Sequence, residues 1–541
     1  MKGTVCVFVY VLCLTWCFCD GYKILVVFPL PGKSHSILGD GYVRYLLEAG
    51  HEVSNPYFPT NIINTKVTLI LSKVYNLFST NINISIDLFV EDIDIMLIMD
   101  NKLDLSEPVL ITLLMHDVAK ATLANENVQR LMSDPAQKFD VAIVEWMFSE
   151  LYSGFSAVFQ CPFIWSGSSE PHPFLLSLID KTYNSAHVPD MFATVSFMGR
   201  LKDLYTQIRN HILLCKEFEY KFLFKYTFYI NQEEDYKQLL GPILAKKGRE
   251  LPPYDEVKYN ASLILGNSHV SIGQAMTLPQ SFKSIGGYHI DINTPPLPED
   301  LEKLMNKSTN GVIYFSLGSN LKSKDLPDEV KISLLNIFGG LKQTVLWKFE
   351  EIMPNLPKNV HIVSWAPQLR VLAHPNCRLF ITHGGLLSTI EALHVGVPLI
   401  GIPIFGDQHF NVMQAEKKGF AKRVALSYSI ADDLKVAIEE MISNHRYLEK
   451  AKELSLIYHD RLVAPGAELV HWVQHVVRTR GAAHLRSPAL TTPLYQKMYL
   501  DLAALVLVIS AVTYKLLKEG LKMLCNSKKQ TKTNINKKKN Q

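Results

Sequence analysis

The amino-acid sequence predicts an α/β fold built on parallel sheets. Short apolar runs rich in β-branched residues alternate with helical stretches along the 541-residue chain. These runs are apolar at nearly every position, which is typical of strands that helices cover on both faces. Because the chain is too long for one ordinary core, we expect two large domains with additional segments.

The predicted strands fall into two series. The first contains "YKILVVF", "FDVAIVEW" and "CPFIWS", and the second contains "GVIYFSLGS", "TVLWKF", "VHIVSW", "CRLFITH" and "VPLIGIP". The Pro-rich, charged segment "DINTPPLPEDLEK" separates them, so we assign domains to residues 21–290 and 311–480 and a linker to 291–310. A helical insertion from about 177 to 231 contains "FEYKFLFKYTFYI". It either packs on the first domain or touches a membrane surface.

The two ends of the chain predict export and anchoring. Residues 1–20 place an apolar run after a lysine and end in small residues, as a secretory signal peptide does. Residues 498–517 would span roughly 30 Å as a helix, enough for a bilayer core, although a buried or interfacial helix is the alternative. The lysine-rich tail, 518–541, then marks the cytosolic side. We expect a single-pass type I protein with a lumenal body.

The last four residues, Lys538-Lys539-Asn540-Gln541, resemble the cytosolic dilysine signal of the endoplasmic reticulum membrane. The formal net charge is only +4, and no basic patch is interleaved with aromatic residues in the body, so nucleic acid is not an expected partner. The cysteines are too few and scattered for a disulfide framework: Cys161, Cys215 and Cys377 are free buried thiols or include one bridge. N-glycosylation sequons that fit a lumenal glycoprotein begin at Asn83, Asn260 and Asn306.

The first predicted strand runs into "PLPGKSHS", whose Gly-Lys-Ser invites comparison with a phosphate-binding P-loop. A P-loop needs a glycine five residues earlier, and Val27 stands there, so this interpretation fails. The turn instead delivers Lys33, Ser34 and His35 to the tip of the strand. We predict that a helix follows from about Gly39 to Ala49.

A second strand-to-helix junction carries a ligand-binding pattern. Strand "CRLFITH" ends in His383-Gly384-Gly385 and opens into the helix "LLSTIEALHVG". The two glycines permit close approach of a ligand, and the free amides of the helix start favour a diphosphate, with His383 as a further donor. Ser388 could contact phosphate and Glu391 the two hydroxyls of a ribose. As an alternative, the spacing of Ser388 and Glu391 matches a capping box, in which the two side chains bond backbone amides at a helix start.

The next predicted strand, "VPLIGIP", ends close to Asp407 and Gln408. Ligands of open α/β sheets collect outside the carboxyl ends of the strands. An acid and an amide at this tip, beside the diphosphate site, suit the hydroxyls of a sugar.

The block "FITHGGLLSTIEALHVGVPLIGIPIFGDQ" resembles the signature of the UDP-glycosyltransferase family. The likeness covers nearly the full chain, is greatest to the membrane-bound animal branch, and the wording "HGGLLST" is similar to that of insect UDP-glucosyltransferases. It implies a GT-B fold, in which two Rossmann-like domains face each other across a cleft, followed by a C-terminal transmembrane helix. The first domain would bind the acceptor and the second the UDP-sugar.

The resemblance also implies roles for individual residues. Leu387 departs from it, because many relatives carry a phosphate-contacting asparagine there. The implied donor-binding residues are Trp365 and Gln368 on the nucleoside, His383, Gly384, Gly385 and Ser388 on the diphosphate, Glu391 on the ribose, Asp407 and Gln408 on the transferred sugar, and Ser319 on a loop near the phosphates.

In the resemblance, His35 is the catalytic base and Glu145, where vertebrate relatives usually carry aspartate, holds the imidazole. A histidine suits this task because its pKa lies near working pH. The implied reaction is an inverting transfer of a hexose, expected to be glucose, from a UDP-sugar to a hydroxyl of a small lipophilic acceptor, in conjugation of xenobiotics, pigments or hormones. No cofactor or metal is implied, since helix amides and His383 can stabilise departing UDP.

Several alternatives stay open at this point. UDP-glucuronate is the other donor, and whether the chain forms a homo-oligomer is not determined by the sequence. The aromatic residues Trp146, Phe148, Tyr152 and Phe155 either line an acceptor pocket or belong to the core. A function of a different class is a membrane-anchored protein that binds nucleotide sugars or hydrophobic ligands without turnover.

Overall fold

The computed structural model describes residues 21–30, 32–54, 95–100, 108–180, 232–291, 293–318, 323–497 and 499–539. Several predicted features lie outside these residues: the signal peptide, almost all of the helical insertion, the first residue of the predicted membrane span, Asn83, Cys215 and Ser319.

In the part of the chain that the structure describes, two six-stranded sheets, parallel throughout, form the framework of the body. The first sheet has the order β2-β1-β3-β4-β5-β6, and the second has the order β12-β11-β10-β7-β8-β9. The first contains β1 (Lys23–Val27), β2 (Glu52–Ser54), β3 (Val141–Trp146), β4 (Phe163–Gly167), β5 (Leu263–Gly266) and β6 (Phe282–Ser284). The second contains β7 (Val312–Ser316), β8 (Thr344–Lys348), β9 (Val360–Val363), β10 (Cys377–Thr382), β11 (Leu399–Gly401) and β12 (Ala421–Arg423).

All eight predicted strands are confirmed, and the α/β class with them. Four further strands, β2, β5, β6 and β12, were not predicted. Each has only three or four residues. The equally short β9 and β11 were predicted from longer strand-like stretches, so length alone does not explain these misses. The strand conformation of the four depends on pairing with a neighbour that the local sequence does not reveal.

Helices cover the two sheets. Those of the first half of the chain are α1 (Lys33–Glu48), α2 (Ile95–Met99), α3 (Pro108–Ala124), α4 (Glu126–Ser133), α5 (Gly154–Phe159), α6 (Pro173–Leu176), α7 (Gln232–Lys246) and α8 (Tyr254–Lys258). The second half adds α9 (Glu299–Lys307), α10 (Asp328–Gly339), α11 (Gln368–Ala373), α12 (Leu386–Val395), α13 (Gln408–Lys417), α14 (Ile430–Ser443), α15 (Arg446–His459), α16 (Pro465–Arg478), α17 (Leu494–Lys497) and α18 (Leu500–Lys539).

Helix α1 begins six residues before its predicted start at Gly39. Its N-cap is Gly32, and Ser36 N already donates to Gly32 O at 3.0 Å. The glycines inside the segment point to a later start, yet Gly41 is buried in the helix because a ring packs there. The prediction that His35 lies on a loop was therefore wrong: it lies in the first turn of α1.

Among the described residues, the predicted linker and helix α16 connect the halves of the body, and α2 is attached to the second half, where Ile95 and Met99 are buried. The predicted linker is held on one side by Arg44, whose Nη1 lies 3.1 Å from Asp291 Oδ2, and on the other by Arg370, whose Nε donates to Thr294 O at 3.0 Å. Helix α16, late in the chain, returns to the first sheet, where Leu469 and Val473 are buried against residues of β1 and β3.

A second compact unit consists mainly of the residues from Ser487 onward. Within helix α18, Leu500–Met523 has 24 residues and a mean hydropathy of 2.0, sufficient in length and composition to cross a membrane. This stretch overlaps the predicted span, 498–517, and the helix continues through the lysine-rich segment to Lys539. Among the described residues it is the one candidate span.

Cys161 and Cys377 are both buried and free. Burial raises the pKa of each thiol to about 12, so both stay protonated and unreactive. For these two cysteines, the free-thiol alternative is confirmed.

Candidate active site

The carboxyl ends of the central strands in both sheets open onto one cleft of about 870 Å³. Helix α1 and the loops after β3 and β4 form one wall, and the loops after β7, β8, β10 and β11 form the other. Glu145 and Gly384 lie directly behind these walls. The predicted site residues that line the cleft are His35, Trp365, Gln368, His383, Gly385, Ser388, Glu391, Asp407 and Gln408.

His35 and Glu145 form a close pair on the first wall. His35 Nδ1 lies 2.5 Å from Glu145 Oε1, although 110 residues separate the two in sequence. Glu145 is fully buried in β3, whereas the His35 side chain keeps 15% of its surface exposed to the cleft. Because Nδ1 is engaged by the carboxylate, Nε2 is the ring nitrogen left for a ligand. The extra methylene of glutamate thus does not prevent the contact.

The surroundings of His35 change its proton affinity in opposite directions. Burial disfavours the charged ring, but Glu145 and, across the cleft, Asp407 outweigh it, so the pKa of His35 lies above its usual value. The imidazole therefore becomes a free base only at a higher pH than an exposed histidine would.

The second wall is built on the start of helix α12. Gly384 adopts a positive φ of 81°, and a Cβ there would lie 2.2 Å from Val412 Cγ2, so only glycine fits. Gly385 is the N-cap, which leaves the first amides of α12 free at the cleft. Ser388 is the third residue of the helix rather than its cap, so the capping-box alternative is wrong.

His383 is enclosed between two glycines. A Cβ on Gly385 would lie 2.5 Å from His383 Nε2, and one on Gly318 would lie 2.6 Å from Cε1. Burial and the charge of Lys348 lower the pKa of His383 to about 4. The ring is therefore neutral at physiological pH and can donate one hydrogen bond to an anion.

Three of the predicted donor-binding residues form one hydrogen-bonded group. Gln368 Nε2 donates to Ser388 Oγ at 3.0 Å and to Glu391 Oε2 at 2.8 Å. Burial raises the pKa of Glu391 to about 7, and the hydrogen bond from Gln368 opposes this only in part. The carboxyl group thus changes its protonation state close to neutral pH.

Asp407 and Gln408 lie where β11 leads into α13. Burial raises the pKa of Asp407, and its Oδ2 accepts a hydrogen bond from Asn411 Nδ2 at 2.8 Å. Gln408 Oε1 accepts the amides of Ile404 and Phe405, so only its NH₂ group is available to a ligand. Asn411 also donates to Gly384 O at 3.2 Å and so ties this loop to the start of α12.

Two lysines of the cleft were missed as site residues. Lys33 Nζ lies 3.0 Å from the centroid of the Trp365 ring, which is half exposed. Lys348, at the end of β8, donates to Gly318 O and pairs with Glu350 Oε1, each at 2.8 Å. A buried lysine at the carboxyl end of an apolar strand was the available signal, because ligands of such sheets bind there.

The sequence left open whether four aromatic residues line a pocket or belong to the core, and the structure places two of them in each. Trp146 and Phe148 line the cleft. Tyr152 and Phe155 are buried in a core cluster together with residues of α3. Leu387 also lines the cleft and packs against the apolar cluster of the first sheet.

Among the residues that the structure describes, no three or more histidine, cysteine, aspartate or glutamate side chains form a group that could hold a metal ion.

The chain is similar to known transferases over most of its length. A family model described as "UDP-glucoronosyl and UDP-glucosyl transferase" matches residues 104–534. UDP-glycosyltransferase UGT5 of Dactylopius coccus is 30% identical over 526 residues, 93% of this chain and 93% of the relative. UDP-glucosyltransferase 2 of the same insect is 29% identical, covering 90% of each chain. UDP-glucuronosyltransferase 2B15 of Rattus norvegicus is 31% identical over 63% of this chain and 64% of its own.

Solved structures confirm the GT-B fold. The glycotransferase of kitacinnamycin superposes with a TM-score of 0.53 at 16% identity, covering 85% of this chain and 99% of that chain. Phytolacca americana UGT2, in complex with UDP-2-fluoro-glucose and pterostilbene, superposes with a TM-score of 0.50 at 19% identity, covering 85% and 100%.

Proposed function

Because the chain belongs to the UDP-glucuronosyl and UDP-glucosyl transferase family and is a UDP-glycosyltransferase, we propose that His35 is the base of an inverting hexose transfer. The observation that carries this proposal is the 2.5 Å contact between His35 and Glu145 in the wall opposite the start of α12. His35 and the first residues of α12 line the same cleft, and a helix start of this kind suits an anion, which supports the proposal.

The proposed step follows from this arrangement. Neutral His35 Nε2 takes the proton of the acceptor hydroxyl, and Glu145 stabilises the imidazolium that forms. The acceptor oxygen bonds to the anomeric carbon while the bond from that carbon to the diphosphate oxygen breaks. UDP leaves with the electron pair. The negative charge that it gains is stabilised by the α12 amides, His383 and the Lys348 ammonium.

The donor roles are proposed along the second wall. Trp365 and Gln368 take the nucleoside, the predicted phosphate loop with Ser319 and the start of α12 take the diphosphate, and Asp407 with Gln408 takes the sugar. Glucose is the proposed sugar, because the relatives that match nine tenths of the chain are named UDP-glycosyl- and UDP-glucosyltransferases. We propose that the reaction needs neither a cofactor nor a metal.

The acceptor is proposed to be small and lipophilic, as in conjugation of xenobiotics, pigments or hormones. This is supported by the part of the cleft next to His35, where apolar side chains predominate. They are Leu30, Ile111, Met115, Val118, Trp146 and Phe148.

We further propose a type I protein of the endoplasmic reticulum membrane, with residues 1–20 removed as a signal peptide and the body lumenal. The apolar helix Leu500–Met523 and the lysines after it support the orientation. Asn260 and Asn306 are both exposed, as glycan attachment to a lumenal protein requires.

The test is a UDP-release assay of membrane preparations with UDP-glucose or UDP-glucuronate against phenols, alkaloids, steroids and pigments. His35→Ala is expected to lower turnover roughly 100-fold or more, since it removes general base catalysis. His361→Ala, on the edge strand β9 outside the cleft, is the matched control. Wild-type turnover in His35→Ala would refute the assignment, and donor binding without any release would identify a binding protein instead.

A further inference from the structure

Four buried oxygen atoms lie behind the His35–Glu145 pair. They are Glu145 Oε2 and the hydroxyls of Tyr42, Ser166 and Tyr288. Within the described residues none of them has a partner in good hydrogen-bonding geometry, although the three hydroxyls lie close enough to act on one another. These side chains lie outside the lining of the cleft. Unsatisfied buried polar atoms are costly, so four of them in one place call for an explanation.

The fold brings these atoms to one face of the first sheet. Glu145 of β3 is in register with Ser166 of β4. Since side chains alternate along a strand, Glu145 points to the same face as Ile143, and Ser166 to the same face as Ile164. Ile143 and Ile164 belong to the apolar cluster that also contains Tyr42 and Tyr288.

Helix α1 connects this group to the reacting side chain. Tyr42 follows His35 by seven residues, two helical turns, so both project from the same side of α1. The rings of Tyr42 and Tyr288 meet edge to face, with centroids 4.8 Å apart. Gly41 makes room for this, because a Cβ there would lie 2.9 Å from Tyr288 Cδ2.

The electrostatics agree with this placement. Burial raises the pKa of both tyrosines; the nearby charge of Glu145 adds to the effect, and the Ser166 hydroxyl opposes it. Both phenols therefore keep their protons and can act only as neutral donors or acceptors. Apart from the two tyrosines, the charged or titratable group that acts on the pair is Asp407, across the cleft.

We propose that Tyr42, Ser166 and Tyr288 are positioning residues for the glycosyl transfer. Through small rotations their hydroxyls donate to Glu145 Oε2, directly or through one another, and so keep Oε1 directed at His35 Nδ1. This inference rests on the proposed role of His35 as the base. It accounts for all four unsatisfied oxygens with one arrangement.

Tyr42→Phe and Tyr288→Phe test the inference, since each removes a hydroxyl and keeps the ring. A carboxylate that loses donors holds the proton of the His35–Glu145 pair more tightly, so the pair releases it at a higher pH. We expect the acid limb of kcat/KM for the acceptor to move up by roughly one pH unit and turnover at pH 7 to fall about tenfold. KM for the UDP-sugar should stay unchanged, because the second wall is untouched.

Tyr236→Phe is the matched control. Tyr236 is also buried under the first sheet, but its hydroxyl donates to Pro252 O at 3.1 Å, away from the site. Its loss should lower the melting temperature without moving the acid limb. Ser166→Ala gives an independent variant with a smaller change of volume if either phenylalanine variant fails to fold.

Folded hydroxyl variants with the acid limb of the wild type would overturn the inference while leaving the base role of His35 intact. A different result separates the two claims: if His35→Ala turns over like the wild type, the proposed base is wrong and the inference falls with it.

Discussion

At the scale of single residues, we expect Glu391 to make donor binding depend on pH. Its burial raises its pKa to about 7, while Gln368 donates to the same carboxyl group at 2.8 Å. A carboxylate can accept both hydroxyls of a ribose, whereas a protonated carboxyl group cannot. Binding of the UDP-sugar should therefore favour the ionised form.

We expect the Kd for the UDP-sugar to fall about tenfold between pH 6 and pH 8, the range that brackets this pKa. Calorimetric titration of the wild type at several pH values measures it. Glu391→Gln should bind more weakly and with a flat pH profile. A wild type whose Kd does not vary across this range would contradict the ribose role of Glu391.

Residue chemistry was also what the sequence predicted best. His35, Glu145, Gln368 and Glu391 were identified from motif and resemblance, and the structure brings them to one cleft or directly behind it. The hydroxyls of Tyr42 and Tyr288 were not identified, because the residues around them are distant in sequence and no motif joins them. Lys348 was missed although its place at the end of β8 was a readable signal.

At the scale of elements, the proposed binding of the donor at the start of α12 depends on room for the His383 ring as well as on the helix dipole. Gly385 has a φ of −59°, which any residue adopts, but a Cβ would lie 2.5 Å from His383 Nε2. Gly385→Ala must therefore displace the His383 ring without straining the backbone. We expect KM for the UDP-sugar to rise about tenfold, since such overpacking typically costs about 1–3 kcal/mol.

Gly241→Ala is the control for this substitution. Gly241 lies inside α7 with no atom within 4 Å of the added Cβ. Alanine there should raise the melting temperature slightly and leave KM unchanged. Steady-state kinetics measure KM for the UDP-sugar in both variants. An unchanged KM in Gly385→Ala would show that the His383 ring does not contact the donor.

Element boundaries were harder to predict than element types. The strands with five or more residues were all predicted, since their apolar runs are long enough to read. The start of α1 was misplaced because Gly39 and Gly41 normally weaken a helix. Tertiary packing outweighs this low helix propensity, because Gly41 leaves the room that the Tyr288 ring needs to approach the helix.

At the scale of the whole molecule, the body and the C-terminal helix have separable tasks. The compact body ends at Arg486, and the apolar stretch that can cross a membrane begins at Leu500. We expect full-length protein to resist extraction from membranes by alkaline carbonate. A chain ending at Arg486 should appear in the soluble fraction and retain UDP release.

Fractionation followed by the UDP-release assay measures both expectations. Full-length protein in the carbonate supernatant would contradict the anchor. A truncated chain that stays with the membrane pellet would place the attachment elsewhere in the body.

The predicted linker and helix α16 both connect the two halves of the body, at Asp291 to Thr294 and where α16 returns to the first sheet. Helix α2 adds a further attachment, since Ile95 and Met99 are buried in the apolar cluster of the second sheet. Because Asp291 and Thr294 themselves border the cavity, we expect substrates to enter and leave at the edge of the cavity that faces away from them.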